Sequence, residues 1–146
     1  MSELTKEEEL GELRAALWPG DDWRLTWGAE FAEGLAKALP GDARVSGMLG
    51  GFYTDLGRYE EALAADERTV ELDPSDATAW YNLACSQALL GRADAAFASL
   101  ERAAERGFAD AEAMDTDSDL DSIRNIPRFA KLARAVRANA DGRGEE

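Results

Sequence analysis

Apolar positions recur every three or four residues along most of this chain, the spacing of helices that bury one face. Four stretches show it cleanly: "ARVSGMLGGFYTDL" from Ala43, "YEEALAADERTVEL" from Tyr59, "ATAWYNLACSQALL" from Ala77 and "ADAAFASLERAAER" from Ala93. The first and third run into Gly57 and Gly91, residues suited to the left-handed conformation that closes a helix. Between the second and third, "LDPSDA" halts the chain. Pro74 cannot continue a helix, and Ser75 or Asp76 can cap the next one. Upstream, "TKEEELGELRAAL" reads as a helix with Thr5 and Glu8 as a capping box, and "WPGDDW" as a turn. In "RLTWGAEFAEGLAKAL", Trp27, Phe31, Leu35 and Leu39 form an apolar stripe. Downstream the pattern predicts a short helix near 119–124, a turn at Pro127, a final helix over about 127–138 and a disordered tail. No β-sheet is expected, and seven or eight helical segments are.

The pattern also repeats. Aligning 43–76 with 77–110, an offset of 34, gives eleven identities, among them Leu49/Leu83, Leu56/Leu90, Gly57/Gly91, Arg58/Arg92, Ala62/Ala96 and Asp76/Asp110. Unrelated segments share roughly two or three at average composition. A period of 34 residues marks an array of helical hairpins. Pro40 lies one period before Pro74, and "PGDA" answers "PSDA". The chain is therefore divided into an N-terminal helical hairpin acting as a degenerate repeat or cap (1–42), two units (43–76 and 77–110), a C-terminal capping segment (111–139) and a tail (140–146), all in one domain.

These residues resemble the tetratricopeptide repeat, whose pattern runs W-x2-L-G-x2-Y, then Gly, A-x3-F, Ala and Pro. The first unit supplies Leu49, Gly50, Tyr53, Gly57, Tyr59, Ala62 and Pro74, but has Ser46 for the Trp, Asp66 for the later aromatic and Thr69 for the later Ala. The second supplies Trp80, Leu83, Gly91, Ala96 and Ala103, with Ala84 for the Gly, Gln87 for the Tyr and Leu100 for the aromatic. The stretch "DSDLDSIRNIPRFAKL" is similar to a segment that follows such units in bacterial proteins, matching at Asp117, Asp119, Leu120, Ile123, Arg124, Pro127, Arg128, Phe129 and Leu132. There, Phe129, Leu132 and Val136 are expected to cover the apolar end of the array, as solenoids require. The resemblance implies an all-α, right-handed superhelical array with capping helices at both ends, and a non-enzymatic role in protein binding, as an adaptor or chaperone-like module.

It also implies a groove. First helices of the family line a concave face, and the corresponding positions here are Arg44, Gly47, Gly51, Thr54 and Asp55, then Thr78, Tyr81, Cys85, Ala88 and Leu89. Chaperone-binding relatives grip an acidic peptide terminus with Lys and Asn where this chain has Gly47 and Gly51, which cannot do so. Asn82 matches only that clamp's second-unit Asn. The wall is expected to be small and apolar with Tyr81 projecting. Two glycines one turn apart cost a helix about 1 kcal/mol each relative to Ala, so a close approach by a ligand, or by the protein's own N-terminal helix, is expected to compensate.

Composition narrows the chemistry. The chain has 146 residues, no histidine and a formal net charge of −14. Ser-His-Asp and Cys-His catalysis are thereby excluded, along with histidine-containing zinc sites. A carboxylate-based enzyme is a minor alternative, and no cofactor or metal is expected. The acidity favours a protein or peptide partner with basic flanks around an apolar centre, and disfavours nucleic acid. No apolar run reaches the ~18 residues of a membrane span, so no membrane partner is expected. The first residues lack a secretory h-region, and the lone Cys85 fits a reducing compartment, so a cytoplasmic location is expected. A self-associating homo-oligomer, through the groove or an array end, is the alternative role.

Other clusters invite sharper readings. "DTDSDLD" spaces Asp115, Asp117, Asp119 and Asp121 like calcium ligands. An EF-hand loop needs Gly at its sixth position and Glu at its twelfth, and neither register complies, so helix capping is expected instead. Cys85 reads as a buried or groove-lining structural thiol. Trp18, Trp23 and Trp27 read as a compact aromatic cap, or alternatively as an exposed anchor.

Overall fold

The computed structural model describes residues 5–17 and 23–142. Trp18, most of the "WPGDDW" turn and the last four residues of the tail lie outside these. The described residues form α1 (Lys6–Leu17), α2 (Trp23–Ala38), α3 (Ala43–Asp55), α4 (Tyr59–Leu72), α5 (Ala77–Leu89), α6 (Ala93–Glu105), α7 (Ala111–Thr116), a 3-10 turn (Ser118–Leu120) and α8 (Pro127–Ala140), with no strand among them. From α2 to α6 each helix packs on the next, giving an all-helical array of hairpins.

Local chemistry sets the helix ends. Asp42, Asp76 and Asp110, spaced by 34, each begin a helix. Asp42 accepts a hydrogen bond from the Arg44 amide (2.9 Å), Asp76 from Thr78 (2.9 Å) and Asp110 from Ala113 (2.9 Å). Of the two residues able to cap α5, Asp76 takes that role, while Ser75 bonds Asp73. Thr5 and Glu8 form the capping box, with Glu8 accepting from the Thr5 amide at 2.7 Å and returning its own amide to the Thr5 hydroxyl at 3.3 Å. Gly57 (φ 73°) and Gly91 (φ 72°) turn α3 and α5 out of the helical conformation.

The core is densest around α5, α6 and the C-terminal segment. Phe97, Leu100, Met114, Leu120, Ile123, Phe129, Leu132 and Val136 form one buried cluster. The side-chain amide of Asn139 ties α8 to the Ala104 and Phe108 carbonyls at 2.8 and 2.9 Å. Where a short helix near 119–124 was expected, there is the 3-10 turn followed by turns to Pro127. Asp117 caps that turn, so its carboxylate bonds a backbone amide in the manner expected of "DTDSDLD".

The N-terminal part differs from expectation. Gly28, Ala29 and Ala32 are the buried face of α2; of the expected Trp27, Phe31, Leu35 and Leu39 stripe, Leu35 is half-buried and the other three are exposed. A Cβ on Gly28 would land 2.4 Å from the Phe52 ring, so only bare backbone lets α2 approach α3. Trp27 and Phe31 stack on one another (centroids 5.5 Å apart) while 55% and 51% exposed; the expected grouping of Trp27 with Trp18 and Trp23 turns on Trp18, which lies outside the described residues. Every α1 residue whose side chain is described is exposed.

Candidate functional site

α4 packs against both α3 and α5. Above it, between α3 and α5, opens a cavity of about 190 Å³. Gly50, Gly51, Thr54 and Asp55 form the α3 wall, Asn82 and Cys85 the α5 wall, and Asp66 of α4 the floor. Asp117 and Asp119, arriving from the C-terminal segment, close the remaining side. None of Asp55, Asp66, Asp117 and Asp119 takes part in an ion pair among the described residues, although the exposed surface carries several.

Asp66 lies on the stripe Ala62, Ala65, Asp66, Thr69, Val70, which α4 turns inward. It is 3% exposed. Its Oδ2 accepts the Ser86 hydroxyl of α5 at 2.6 Å. Its Oδ1 faces Gly50, where a Cβ would sit 2.3 Å away. The bare backbone of Gly50 therefore makes room for the carboxylate. Burial pushes the Asp66 carboxyl up to about 6, against the opposing pull of the Ser86 hydrogen bond. No basic side chain among the described residues offsets this.

The opposite wall is a closed hydrogen-bonded group. Asp117 Oδ2 accepts the Tyr81 hydroxyl at 2.8 Å and the Cys85 thiol at 3.9 Å, while Oδ1 accepts the Asp119 amide at 3.0 Å. Tyr81 stacks on Phe108 with centroids 4.3 Å apart. Burial first, then the charges of Asp117 and Asp119, pushes the Cys85 thiol well up. Burial, then the charges of Asp117, Asp55 and Asp121, raises Asp119. Cys85 Sγ and one carboxylate oxygen each from Asp117 and Asp119 lie within 4.8 Å of one another. That donor set does not suit a resident metal. The thiol is held neutral by burial, and a metal would have to compete with the three hydrogen bonds that Asp117 already accepts, from the Tyr81 hydroxyl, the Cys85 thiol and the Asp119 amide.

Of the groove residues read from the sequence, Gly51, Thr54, Asp55 and Cys85 line this cavity. Arg44 is held outside by Asp42 at 2.7 Å. Gly47 faces the Thr69 methyl, 3.7 Å from where a Cβ would be. Thr78 lies in a separate hollow beside Asp110 and Phe108. The expectation that Tyr81 projects is corrected: it is 6% exposed, under Phe108 and the C-terminal segment. Ala88 is 1% exposed, and its carbonyl accepts the Ser122 hydroxyl. Leu89 is half-buried at the end of α5. The returning C-terminal chain, not α1, thus fills the second unit's share of the groove. The wall is correspondingly acidic rather than apolar. Sequence reasoning missed Asp66, Gly50, Asp117 and Asp119 as parts of one site. A trace of Asp66 was present: an acid interrupting the apolar face of α4.

The family model described as "TPR repeat" matches residues 50–91, and that described as "Tetratricopeptide repeat" matches 77–106. A chloroplastic protein of Arabidopsis thaliana is 32% identical over 85 residues, 56% of this chain and 25% of its own. The chain thus spans about a quarter of that relative's length. The solved structure titled MamA MSR-1 C2 superposes with a TM-score of 0.54 at 21% identity, covering 78% of this chain and 68% of that one. A crystal structure of MamA gives 0.50 at 22% identity, covering 80% and 77%. Both structures share the helical-repeat fold.

Proposed function

We propose that this chain, which carries tetratricopeptide repeats over residues 50–106, is a protein–protein interaction module and acts as a non-enzymatic adaptor, taking a segment of a partner protein into the cavity between α3 and α5. The observation that carries this reading is the ring of unpaired carboxylates around an open cavity beside bare backbone at Gly50 and Gly51. Unneutralised charges that face one another raise each other's energy, and a partner's positive charge relieves this. The position of the carboxylates moves the expected positive charge of the partner from its flanks to its centre. A chain net charge of −14 steers such a segment inward, with an on-rate that falls as salt rises. A cytoplasmic setting is part of the proposal, because the neutral buried thiol suits a reducing compartment.

The test uses Gly51→Arg. Gly51 is exposed, and nothing lies within 4 Å of an added Cβ, so the helix tolerates the change. On an array of short peptides, the wild type retains cationic sequences; the variant loses them with its melting temperature unchanged or raised. If wild type and variant retain the same peptides, binding is not in this cavity.

A second reading rests on the N-terminal surface. Leu10, Leu13 and Leu17 share one face of α1, and all are more than half exposed, as are Trp27 and Phe31 on α2. Two apolar stripes exposed on one chain complement each other between two copies, α1 of one lying on α2 of the other. Light scattering decides it: a dimer that becomes monomeric in Trp27→Glu supports the reading, and a monomeric wild type ends it.

A further inference from the structure

The cavity has a floor that packing alone does not explain. Asp66 is only 3% exposed, yet one of its oxygens receives no hydrogen bond from the described residues. Its sole hydrogen bond among them is the Ser86 hydroxyl on Oδ2. Oδ1 lies 2.3 Å from where a Cβ on Gly50 would sit, and both residues line the cavity. A buried carboxylate without a cation is costly, and a fold normally replaces it with an apolar side chain. Here the next repeat does so, placing Leu100 at the position 34 residues on. Retaining the acid, and keeping a glycine opposite it, leaves an acceptor at the bottom of an open cavity.

We propose that Asp66 anchors one long cationic side chain, an arginine or lysine of the bound partner, entering past Gly51 and Gly50. This rests on the groove reading above and specifies its chemistry. A guanidinium or ammonium group supplies donors to Oδ1 while Ser86 holds Oδ2. Asp55, Asp117 and Asp119 surround the stem with further negative charge. The Cys85 thiol, held neutral, adds no competing anion. A side chain fits better than a bare ion for two reasons. The cavity, at about 190 Å³, is much larger than an ion, and the Asp117 carboxylate is already committed to Tyr81, Cys85 and the Asp119 amide.

The probe is the blocked peptide acetyl-Ala-Ala-Arg-Ala-Ala-amide, with its citrulline counterpart as the same shape without charge. Binding is followed through the backbone amide signals of Gly50, Gly51 and Ser86 and the side-chain carboxyl carbon of Asp66. The arginine peptide is expected to move all four signals and to bind about tenfold or more tightly than the citrulline peptide, as a charge-assisted hydrogen bond requires. The titration midpoint of Asp66 is expected to fall from about 6 when the peptide is bound, with Asp55, Cys85, Asp117 and Asp119 as the other titrating groups facing it. Asp66→Asn is expected to keep the fold and lose that tenfold preference. Gly51→Arg, which brings a guanidinium in cis, is expected to lower the Asp66 midpoint without any peptide.

Equal binding of the two peptides, or full arginine preference in Asp66→Asn, overturns the anchor and leaves the groove reading intact. No response of any cavity signal to either peptide, together with an unmoved Asp66 midpoint in Gly51→Arg, overturns both. Calcium or magnesium chloride moving the Asp66 signal where the arginine peptide does not would make the cavity an ion site, and the proposal fails.

Discussion

The two repeat units use one helix pair and finish it differently. In the first, Gly50 of α3 faces Asp66 of α4, and Ser86 of α5 completes the contact. In the second, the corresponding positions, 34 residues on, hold Ala84, Leu100 and Leu120, exposed by 0%, 1% and 0%. The second unit is therefore an apolar interior sealed by the C-terminal segment. The first keeps a buried acid under an open cavity. The difference shows where this fold sacrifices stability: every other position of α4's inner stripe is apolar, small or, as with the Thr69 hydroxyl bonded to the Ala65 carbonyl at 2.8 Å, satisfied locally.

The comparison breaks most visibly when the acid is moved. Leu100→Asp places an unpaired charge in the sealed interior, where Ala84 leaves no glycine gap and no serine donor stands opposite. The expected loss is about 3–5 kcal/mol in urea denaturation, the scale of a buried uncompensated charge. A loss under about 1 kcal/mol would mean the second unit is as open as the first. Removing the seal comes next. Phe129, 5% exposed with the Arg124 guanidinium over its ring at 5.4 Å, holds α8 in place. Phe129→Ala is expected to cost about 3–5 kcal/mol and to expose the Cys85 thiol to modification. An unchanged midpoint would remove the capping role.

Asp66→Asn tests the first unit in the opposite direction. The Asp66 carboxyl stands at about 6 when folded and near 3.8 ordinarily. Between these values the folded chain binds a proton that the unfolded chain does not. Its contribution to stability therefore falls as pH rises from about 4 through about 6, and is flat above. Asn keeps an acceptor for Ser86 without the charge. The variant is expected to be about 1–3 kcal/mol more stable at pH 7, an advantage that shrinks as pH falls through 6 and disappears below about 4. A variant less stable at pH 7 would show that the ionised acid supports the fold.

Gly50→Ala forces a Cβ into Asp66 and is expected to cost about 1–3 kcal/mol, as overpacking does. In an Asp66→Ala background the same change is expected to be neutral or stabilising, since Ala outranks Gly in a helix by about 1 kcal/mol. Additive effects in that double-mutant cycle would separate the two residues and dissolve the pairing.

Much of the architecture was legible from the chain alone. The 34-residue period, the Asp42/Asp76/Asp110 helix starts and the Gly57/Gly91 stops are written in local chemistry. A capping carboxylate reaches amides two or three residues away, and a positive φ belongs to one residue. The same locality made the Thr5–Glu8 box readable. The tertiary structure decided the rest, wherever one pattern allowed two answers. α2 offers an aromatic stripe and a small-residue stripe, and periodicity alone does not rank them. The close approach of α3 selects Gly28, Ala29 and Ala32 because backbones meet only where side chains are small. Tyr81 looked like a groove residue until a segment 36 residues away returned to bury it and bond its hydroxyl. Gly50, Asp66, Ser86 and Asp117 come from three helices and a capping turn, and no spacing rule relates them. Their meeting depends on how the helices stack and where the last segment finds apolar surface to cover, and those are properties of the assembled core.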